Sequence, residues 1–353
     1  KADIVHLHDW QPGMLPVIIR EQNQNDPFFQ NFKFVLTIHN PAFKGMFDKY
    51  FLNNFYELSD SLYDSGKVRF ENVVSTLKAA IVYSDKIATV SYTHRDELLS
   101  FDSEHGLSSV LELRRQDFCG ILNGIDYAEF NPKADRAIAY LFNGVNVTKG
   151  KDENKAALLK QFNLSNRGQP VFGLVSRLTW QKGIRLIIAK ARHIVANGGS
   201  IIILGSGERE LEQEIEWMRA QMSENVGIYI GYSNELAHLI YAGSDFFLMP
   251  SLFEPCGIGQ MIAQRYGTLP IVRFTGGLKD TVCGYNGQNL DEANGFGFEH
   301  FDEYGMQYGL DLALSLYQDK EALLKMRRNA MKLDRTWKNS ALEYVKLYRD
   351  IKE

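Results

Sequence analysis

Cysteine is scarce in this sequence, and its three cysteines lie far apart. Cys119, Cys256 and Cys283 form no Cys-x-x-Cys pair and no even-numbered framework, which disfavours a disulfide-stapled secreted domain and a cysteine-based metal site. No apolar run reaches membrane-spanning length. The chain begins in strand-like sequence, with no signal-peptide pattern before it. These absences favour a cytoplasmic protein without a membrane partner.

An excess of one charge is also missing. Lysine and arginine number 39 against 43 aspartates and glutamates, a formal net charge of −4. The basic residues form no long block, so we expect no nucleic-acid partner. The phosphate-binding pattern Gly-x-x-x-x-Gly-Lys-Ser/Thr is absent, which excludes nucleotide hydrolysis by that motif. No group of histidine, cysteine and acidic residues has metal-ligand spacing, so we predict no metal and no cofactor.

The sequence does contain two blocks in which strand-like and helix-like segments alternate. A length of 353 residues favours two domains, each able to bury its own core. The alternation predicts an α/β protein with parallel sheets and right-handed crossovers, that is, two doubly wound domains. The best linker candidate is the polar stretch 131–152, and 73–83 is predicted to be helical. The predicted strands are 3–8, 34–39, 87–91 and 119–122 in the first block, and 171–176, 200–205, 227–231, 246–249 and 269–273 in the second.

The most informative segment is 251–260, Ser-Leu-Phe-Glu-Pro-Cys-Gly-Ile-Gly-Gln. It follows a predicted strand and precedes a helix-like stretch, so Glu254 lies at the carboxyl end of a strand and Gly257 and Gly259 lie where a helix begins. In open α/β sheets ligands bind at that edge, where unpaired amides and the helix dipole favour an anion. An amide loop beside a carboxylate suits a sugar phosphate. A Pro-Gly loop whose glutamate caps the helix is an equally weighted alternative.

Several segments together resemble the glycogen/starch synthase family of retaining glucosyltransferases. They occur in the family's order and cover nearly the whole chain, so the match is far more specific than any one segment. In the first half they are Val-His-Leu-His-Asp-Trp at 5–10, Thr-Ile-His-Asn at 37–40 and Ile-Leu-Asn-Gly-Ile-Asp at 121–126. In the second half they are Val-Ser-Arg-Leu-Thr at 175–179, Gln-Lys-Gly at 181–183, Leu-Gly-Ser-Gly at 204–207, Glu-Pro-Cys-Gly at 254–257 and Tyr-Gly-Thr-Leu-Pro-Ile-Val-Arg-Phe-Thr-Gly-Gly-Leu at 266–278.

The resemblance implies the GT-B architecture, in which two Rossmann-like domains face each other across a cleft. It implies an acceptor-side domain over 1–145, a nucleotide-sugar domain over 146–335, and a final helix over 336–353 that crosses back to the first domain. The implied reaction transfers glucose from ADP-glucose to the non-reducing end of an α-1,4-glucan with retention. Such an enzyme is cytoplasmic, or plastidial in a photosynthetic eukaryote. The sequence does not determine the oligomeric state.

The chain departs from the family pattern at two places. A Lys-x-Gly-Gly-Leu loop, which touches donor phosphates and acceptor in the family, has no counterpart in this sequence before the first matching segment. We therefore expect a truncated N-terminal domain and a chain that is inactive by itself. Ile258-Gly259 stands where bacterial members often have Leu-Thr. Backbone amides would make the phosphate contact there, so we expect little effect.

For the second half, the resemblance assigns Arg177 and Lys182 to the diphosphate and Glu254 to the sugar hydroxyls. Two fixed cations stabilise the negative charge that develops as the glycosidic bond breaks, without a metal. A surface ion pair is the alternative for either cation. Tyr232 corresponds to the residue that stacks on adenine, with a packed core tyrosine as the alternative. The remaining donor-binding residues are Cys256, Gly257, Ile258 and Gly259, with the Cys256 thiol interpreted as a packing group and not a nucleophile.

For the first half, His39 corresponds to the family histidine near the reacting end of the sugar, and Asn123 to a residue that hydrogen-bonds glucose. The alternatives are a core histidine and a left-handed turn in an Asn-Gly pair. Asp9 could bind sugar or acceptor hydroxyls, and Trp10 offers a flat apolar face to a glucan ring. A helix cap and a core tryptophan are the alternatives for these two.

Other functions remain open at this stage. Another retaining GT-B glucosyltransferase that uses UDP-glucose would share the Arg177, Lys182 and Glu254 positions. An inactive glucan-binding or nucleotide-sugar-binding protein is the alternative from a different class. A panel of nucleotide sugars would separate the enzymes, and glucose incorporation would separate an enzyme from a binding protein.

Overall fold

The structure, a computed structural model, describes residues 3–101, 105–165 and 168–352. Its contacts divide the chain into two compact units, the first made of Lys1–Asn123 and Lys338–Glu353 and the second of Gly124–Trp337. The first boundary therefore falls before Gly124, and not at the predicted position 145/146. The predicted segments that include Lys1, Ala2 and Glu353 extend beyond the described residues.

Residues 131–152 are not a linker. A helix begins at Val147, and the segment before it is bonded within the second unit. The Asp135 carboxylate lies 2.7 Å from His238 Nδ1 and accepts a 2.5 Å hydrogen bond from the Tyr266 hydroxyl. Asn154 bonds both polar groups of the Tyr140 backbone. The stretch is polar because its side chains satisfy buried polar groups, which sequence composition cannot distinguish from solvent exposure.

The first unit is built on a parallel sheet and also contains a small antiparallel sheet. Its described strands are β1 (Ile4–His8), β2 (Lys33–Ile38), β3 (Met46–Phe47), β4 (Arg69–Phe70), β5 (Val73–Ser75), β6 (Lys86–Thr89) and β7 (Phe118–Gly120). The parallel sheet has the order β1-β2-β6-β7, with His8 opposite Thr37, and the antiparallel sheet has the order β3-β5-β4. Its helices before the second unit are α1 (Leu15–Gln22), α2 (Tyr50–Asn54), α3 (Ser61–Asp64), α4 (Thr76–Tyr83), α5 (Tyr92–Leu99) and α6 (Ser108–Glu112).

The helix predicted over 73–83 begins three residues late. Residues 73–75 are strand β5, paired with both β3 and β4. Ser75 then caps α4, because its extended backbone turns the chain and its hydroxyl accepts from the Lys78 amide over 3.2 Å.

The second unit is a six-stranded parallel sheet, as far as the described residues show, with helices connecting its strands. The strands are β8 (Val171–Val175), β9 (Ser200–Gly205), β10 (Val226–Ile230), β11 (Phe246–Met249), β12 (Leu269–Arg273) and β13 (Phe296–Phe298), in the order β10-β9-β8-β11-β12-β13. The helices are α7 (Val147–Gln161), α8 (Ile184–Ala196), α9 (Arg209–Gln221), α10 (Asn234–Gly243), α11 (Gly259–Arg265), α12 (Gly276–Thr281), α13 (Glu303–Gln318) and α14 (Lys320–Lys332). All five predicted strands of this block are confirmed. The sixth, β13, was not predicted because Phe-Gly-Phe is too short for a periodic pattern.

A buried charged cluster ties helices α7 and α14 to the start of β11. The fully buried Asp245 lies 2.6 Å from Lys155 Nζ and 2.6 Å from Arg327 Nη2, and accepts from the Val171 amide over 2.8 Å. Burial opposes ionisation of this carboxyl, yet the two cations hold the pKa of Asp245 below its usual value. The cluster lies at the amino ends of the strands, away from the edge at which α/β sheets bind ligands.

The last helix, α15 (Trp337–Asp350), belongs mostly to the first unit. Leu347 and Ile351 pack with Val35, Ala88 and Ile121 of the first sheet. The Ser340 hydroxyl donates to the Leu122 carbonyl over 2.5 Å. Helix α15 therefore packs on the parallel sheet of the first unit.

Candidate active site

In the second unit, the loops after β8 and β11 hold Arg177, Lys182 and Glu254 at one edge of the sheet. The two strands are parallel neighbours, so their carboxyl ends lie together. Strand order reverses between them, since β9 lies on one side and β12 on the other. The Leu252 amide joins the loops by donating to the Gln181 carbonyl over 2.8 Å. A topological switch point of this kind is where open α/β sheets bind ligands.

Lys182 and Glu254 form a largely buried ion pair. Lys182 Nζ lies 2.5 Å from Glu254 Oε2, and the two side chains are 17% and 9% exposed. The Ser251 hydroxyl donates to the same carboxylate oxygen over 3.1 Å. An isolated ion at this depth would carry a large desolvation cost, so each charge stabilises the other. The sequence predicts both residues in the site but does not indicate that they pair.

Two glycines allow the loops to approach each other closely. Gly183 has φ +69°, and a Cβ there would lie 2.0 Å from the Pro250 carbonyl oxygen. Gly276 has φ +44°, and a Cβ there would lie 2.1 Å from the Glu254 carbonyl oxygen. A side chain at either position would push away the segment that carries Glu254. The Gly-Gly pair after β12 therefore acts as a support for the Glu254 loop.

Arg177 differs from Lys182 in its surroundings. It follows β8 by two residues, and its side chain is exposed. No residue in the described part of the chain forms an ion pair or hydrogen bond with its guanidinium. The surface ion pair considered as an alternative is therefore not what this residue forms. Its charge remains available to an anion at the edge of the sheet.

Tyr232 is an exposed tyrosine at the same edge of the sheet. It follows β10 by two residues and is 84% exposed, so it is not a packed core tyrosine. The Gly231 amide before it donates to the Gly205 carbonyl over 2.9 Å, and Ser233 after it caps α10. The ring is thus held on a short, bonded turn and presents its faces to solvent.

The donor-binding segment predicted at 256–259 forms the turn into α11. Cys256 is 4% exposed, as expected of a packing group, whereas Ile258 is 49% exposed. Gly257 has φ +69°, and α11 begins at Gly259. The buried thiol leaves the backbone amides as the groups of this turn that could contact an anion.

In the first unit, Asp9 and His39 meet at the carboxyl ends of β1 and β2. Asp9 Oδ1 accepts from the His39 amide over 2.7 Å and from the Asn40 amide over 3.3 Å. Asp9 has φ 59°, a left-handed conformation that is costly for most side chains and commoner for aspartate. It does not cap α1, which begins only at Leu15. Asp9 instead fixes the backbone on which His39 is carried.

His6, His8 and His39 form a row of stacked rings, here called the histidine row. The ring centroids of His6 and His8 are 4.4 Å apart and those of His8 and His39 5.1 Å apart, and His8 Nδ1 lies 2.9 Å from His39 Nε2. His6 also contacts Thr37 Oγ1 at 2.7 Å and the Tyr348 hydroxyl at 2.6 Å.

Burial keeps two members of the histidine row, His6 and His39, from becoming positively charged. Burial and the neighbouring His8 and His39 lower the pKa of His6 to about 4. Burial also lowers the pKa of His39, with Asp9 opposing and His8 reinforcing the shift. His6 and His39 are therefore neutral near pH 7. A neutral imidazole has one donor and one acceptor nitrogen, which suits uncharged hydroxyl groups.

Trp10 and Asn123 are less clearly placed for a ligand. The Trp10 ring is half-buried, packs near Phe47 with ring centroids 6.1 Å apart, and is covered on one side by Gly45. This agrees with the alternative of a core tryptophan. Asn123 is half-buried beyond the end of β7 and does not have the positive φ of a left-handed turn. That alternative for Asn123 is therefore wrong.

Sequence reasoning missed several residues of these two groups. His8 contacts His39 and stacks on His6, and Ser251 contacts Glu254. Arg273 donates to the Leu252 carbonyl in the Glu254 loop. The spacing of His6 and His8 was a usable signal, because residues two apart in a strand lie on the same face. Within the described residues no group of three histidine, cysteine or acidic side chains could hold a metal ion. Nor does any described helix have the length and apolarity needed to cross a membrane.

Comparison with known proteins identifies the family. Residues 1–113 match the model of the starch synthase catalytic domain, and residues 156–332 match that of glycosyl transferases group 1. The glycogen synthase of Bacillus cereus (strain Q1) is 41% identical over 354 residues, which span 100% of this chain and 74% of that protein. The chain belongs to the glycogen/starch synthase family. The glycogen synthase of Clostridium kluyveri is likewise 41% identical, over 99% of this chain and 74% of that protein.

Solved structures agree with this assignment. The catalytic domain of starch synthase IV from Arabidopsis thaliana, solved with ADP and acarbose bound, has a TM-score of 0.92 at 34% identity and covers 99% of this chain and 73% of its own. Sucrose-phosphate synthase from Thermosynechococcus elongatus has a TM-score of 0.60 at 18% identity, which supports the fold alone. The GT-B fold with two Rossmann-like domains is confirmed, and so is a hexosyltransferase of the glycogen or starch synthase type.

Proposed function

We propose that this glycogen/starch synthase takes glucose from ADP-glucose and adds it, with retention, to the non-reducing end of an α-1,4-glucan. The observation that carries the proposal is that the exposed Arg177 and the largely buried Lys182–Glu254 pair lie on the loops at the switch point of the second sheet. The starch synthase complex with ADP supports the choice of nucleotide, and its bound acarbose supports a glucan-like ligand.

In the second unit, Arg177 and Lys182 neutralise the diphosphate. As the bond between sugar and diphosphate breaks, negative charge grows on the leaving oxygen, and cations fixed there stabilise the transition state more than the ground state. Glu254 accepts hydrogen bonds from sugar hydroxyls while its contact with Lys182 keeps the carboxylate oriented. The amides of 256–259 support the phosphate, and the Tyr232 ring stacks on the base.

In the first unit, His39 and Asn123 hold the glucose being transferred. The neutral imidazole and the amide side chain offer donors and acceptors to hydroxyls without adding charge. Asp9 orients the backbone of His39 through its 2.7 Å bond to that amide, and its second oxygen Oδ2 has no partner among the described residues. Oδ2 therefore remains available to a sugar hydroxyl. Trp10, the residue after Asp9, packs near Phe47 and stabilises this segment.

A donor panel tests this proposal. The full-length protein should incorporate labelled glucose into glycogen from ADP-glucose at least tenfold faster than from UDP-glucose at equal concentration. Nuclear magnetic resonance of the first product should show an α-linked glucose, as retention requires. Faster incorporation from UDP-glucose would favour the alternative of a retaining GT-B glucosyltransferase that uses UDP-glucose. Nucleotide binding without any incorporation would support the binding-protein alternative.

A further inference from the structure

The second unit contains an aromatic cavity that the proposed donor site does not use. The cavity has a volume of about 470 Å³ and lies between the carboxyl end of β13, the start of α13 and the segment that follows α12. That volume falls within the usual size range of small-molecule sites. We call it the tyrosine cavity, since Tyr285, Tyr304 and Tyr308 line it.

Two of these tyrosines are unusually exposed. Tyr304 is 86% exposed and Tyr308 54% exposed. They are four residues apart on α13, so their side chains project from the same face of the helix. Neither hydroxyl has a hydrogen-bond partner in the described part of the chain. Large exposed aromatic groups gathered at one place usually mark a binding surface.

The Phe274 ring forms part of the cavity wall and packs against two neighbouring glycines. A Cβ at Gly297 would lie 1.9 Å from Phe274 Cζ, and one at Gly284 would lie 2.8 Å from the same atom. A side chain at either position would therefore displace the ring from the wall. The polar groups at the rim are Asn286, Glu299 and His300.

The charge of the lining selects the chemistry of the ligand. None of the residues that line the cavity in the described structure is a lysine or an arginine, and Glu299 contributes a carboxylate. Phosphates and nucleotides are therefore unfavourable ligands. A neutral ligand with an apolar face and hydroxyls around its edge fits: aromatic rings pack against the face, and Asn286 and Glu299 bond the hydroxyls. A glucose ring in an α-glucan has this chemistry.

We propose that the tyrosine cavity is a second glucan-binding site, which holds one part of the polymer while another part is elongated. The proposal uses the family assignment, because a glycogen or starch synthase works on a polymer with many chains. Two attachment points on one polymer raise the local concentration of chain ends at the transfer site. Arg273 couples the cavity to that site, since it donates to the Glu299 carbonyl over 3.1 Å and to the Leu252 carbonyl of the Glu254 loop.

The test compares the parent chain with the double variant Tyr304→Ala/Tyr308→Ala. Glycogen in a native gel should retard the parent, and the double variant should show at least fivefold weaker retention, because truncation of a central aromatic contact costs more than about 1 kcal/mol. The matched control is Trp217→Ala, which removes a ring that is 67% exposed on α9 of the same unit. The control should bind glycogen as the parent does.

Two further measurements separate this site from the donor site. ADP titration should give the same affinity for the parent and the double variant. In the full-length protein, the KM for glycogen should rise in the double variant while kcat and the KM for maltotriose stay unchanged, because a short acceptor cannot reach both sites. Unchanged glycogen retention and KM would overturn the proposal. A parent chain that does not bind ADP would contradict the proposed donor site, while the glycogen measurements would still decide the proposal for the tyrosine cavity.

Discussion

The carboxyl edges of the two sheets carry opposite kinds of chemistry. At the edge of the second unit, Lys182 and Glu254 are an ion pair 2.5 Å apart, and the exposed Arg177 lies at the same edge of the sheet. At the edge of the first unit, His6 and His39 are held neutral by burial and by their histidine neighbours. Under the proposed function, one edge therefore binds a charged ligand and the other an uncharged one.

The difference in charge between the two edges follows from how the ionisable side chains are buried and paired in each unit. In the second unit a cation and an anion lie in contact at a largely buried position, so each offsets the desolvation cost of the other. In the first unit three rings stack, and a second positive charge in the row would be repelled as well as poorly solvated. The proposed division, diphosphate at one edge and sugar hydroxyls at the other, uses both properties.

The largest expected effect is on transfer. Arg177→Ala and Lys182→Ala in the full-length protein should each lower glucose incorporation about 100-fold, because a fixed donor to a developing anion contributes about 3 kcal/mol. Both should also weaken ADP binding in calorimetry. His39→Ala should lower transfer but leave ADP affinity within about twofold, since only the sugar contact is lost. Equal weakening of ADP binding by His39→Ala and Arg177→Ala would contradict the division between the two edges.

Stability should separate the two cations of the second unit. Lys182→Ala leaves the Glu254 carboxylate buried without its cation and should lower the free energy of unfolding by about 3 kcal/mol in urea titration. Arg177→Ala removes an exposed side chain and should change it by less than about 0.5 kcal/mol. The double variant Lys182→Met/Glu254→Gln should recover much of the loss. A Lys182→Ala protein as stable as Arg177→Ala would show that the pair is not buried.

Replacement of Tyr232 tests whether its ring binds the base of the nucleotide sugar by stacking. Tyr232→Ala should raise the KM for the donor about tenfold with a small change in kcat, because a stacked base contributes about 1–3 kcal/mol in ground and transition states alike. Trp217→Ala is the control for loss of an exposed ring in the same unit. A defect confined to kcat would show that Tyr232 does not stack on the base.

The smallest expected effect is a pH dependence set by His6. The folded protein holds the pKa of His6 near 4, whereas an unfolded histidine titrates near 6.5. The resulting stability is present above pH 6.5 and is lost as the pH falls toward 4, because only the unfolded chain takes up the proton in that window. Between pH 7 and 5 the parent should lose about 1 kcal/mol more than His6→Asn, after allowance for the ring's partial exposure.

His193→Asn is the control for the pH experiment, since His193 pairs with Asp311 at the surface. Melting temperatures of the three proteins at pH 7 and pH 5 provide the measurement. The same pH dependence in parent and His6→Asn would mean that the fold does not hold His6 neutral.

The sequence determined most of the second unit but less of the first. Strands such as β9, Ser-Ile-Ile-Ile-Leu-Gly, are continuous apolar runs because a parallel strand is buried on both faces, so composition alone finds them. In the first unit β3, β4 and β5 have two or three residues each, too few for a period. The segment 131–152 was wrongly predicted to be a linker, because polar residues that bond buried groups look the same in sequence as polar residues that face water.

The candidate site divides in the same way. Sequence motifs and strand ends located Arg177, Lys182, Glu254 and His39, because the carboxyl ends of parallel strands must meet at one edge of a sheet. Only the tertiary structure decided which groups pair: Lys182 with Glu254, Asp9 with the His39 amide, and His8 with His39. Those pairs join segments far apart in the chain, and their geometry depends on close backbone approaches such as Gly183 to Pro250. A motif fixes which chemical groups are available, whereas burial and distance fix their charge and their partners.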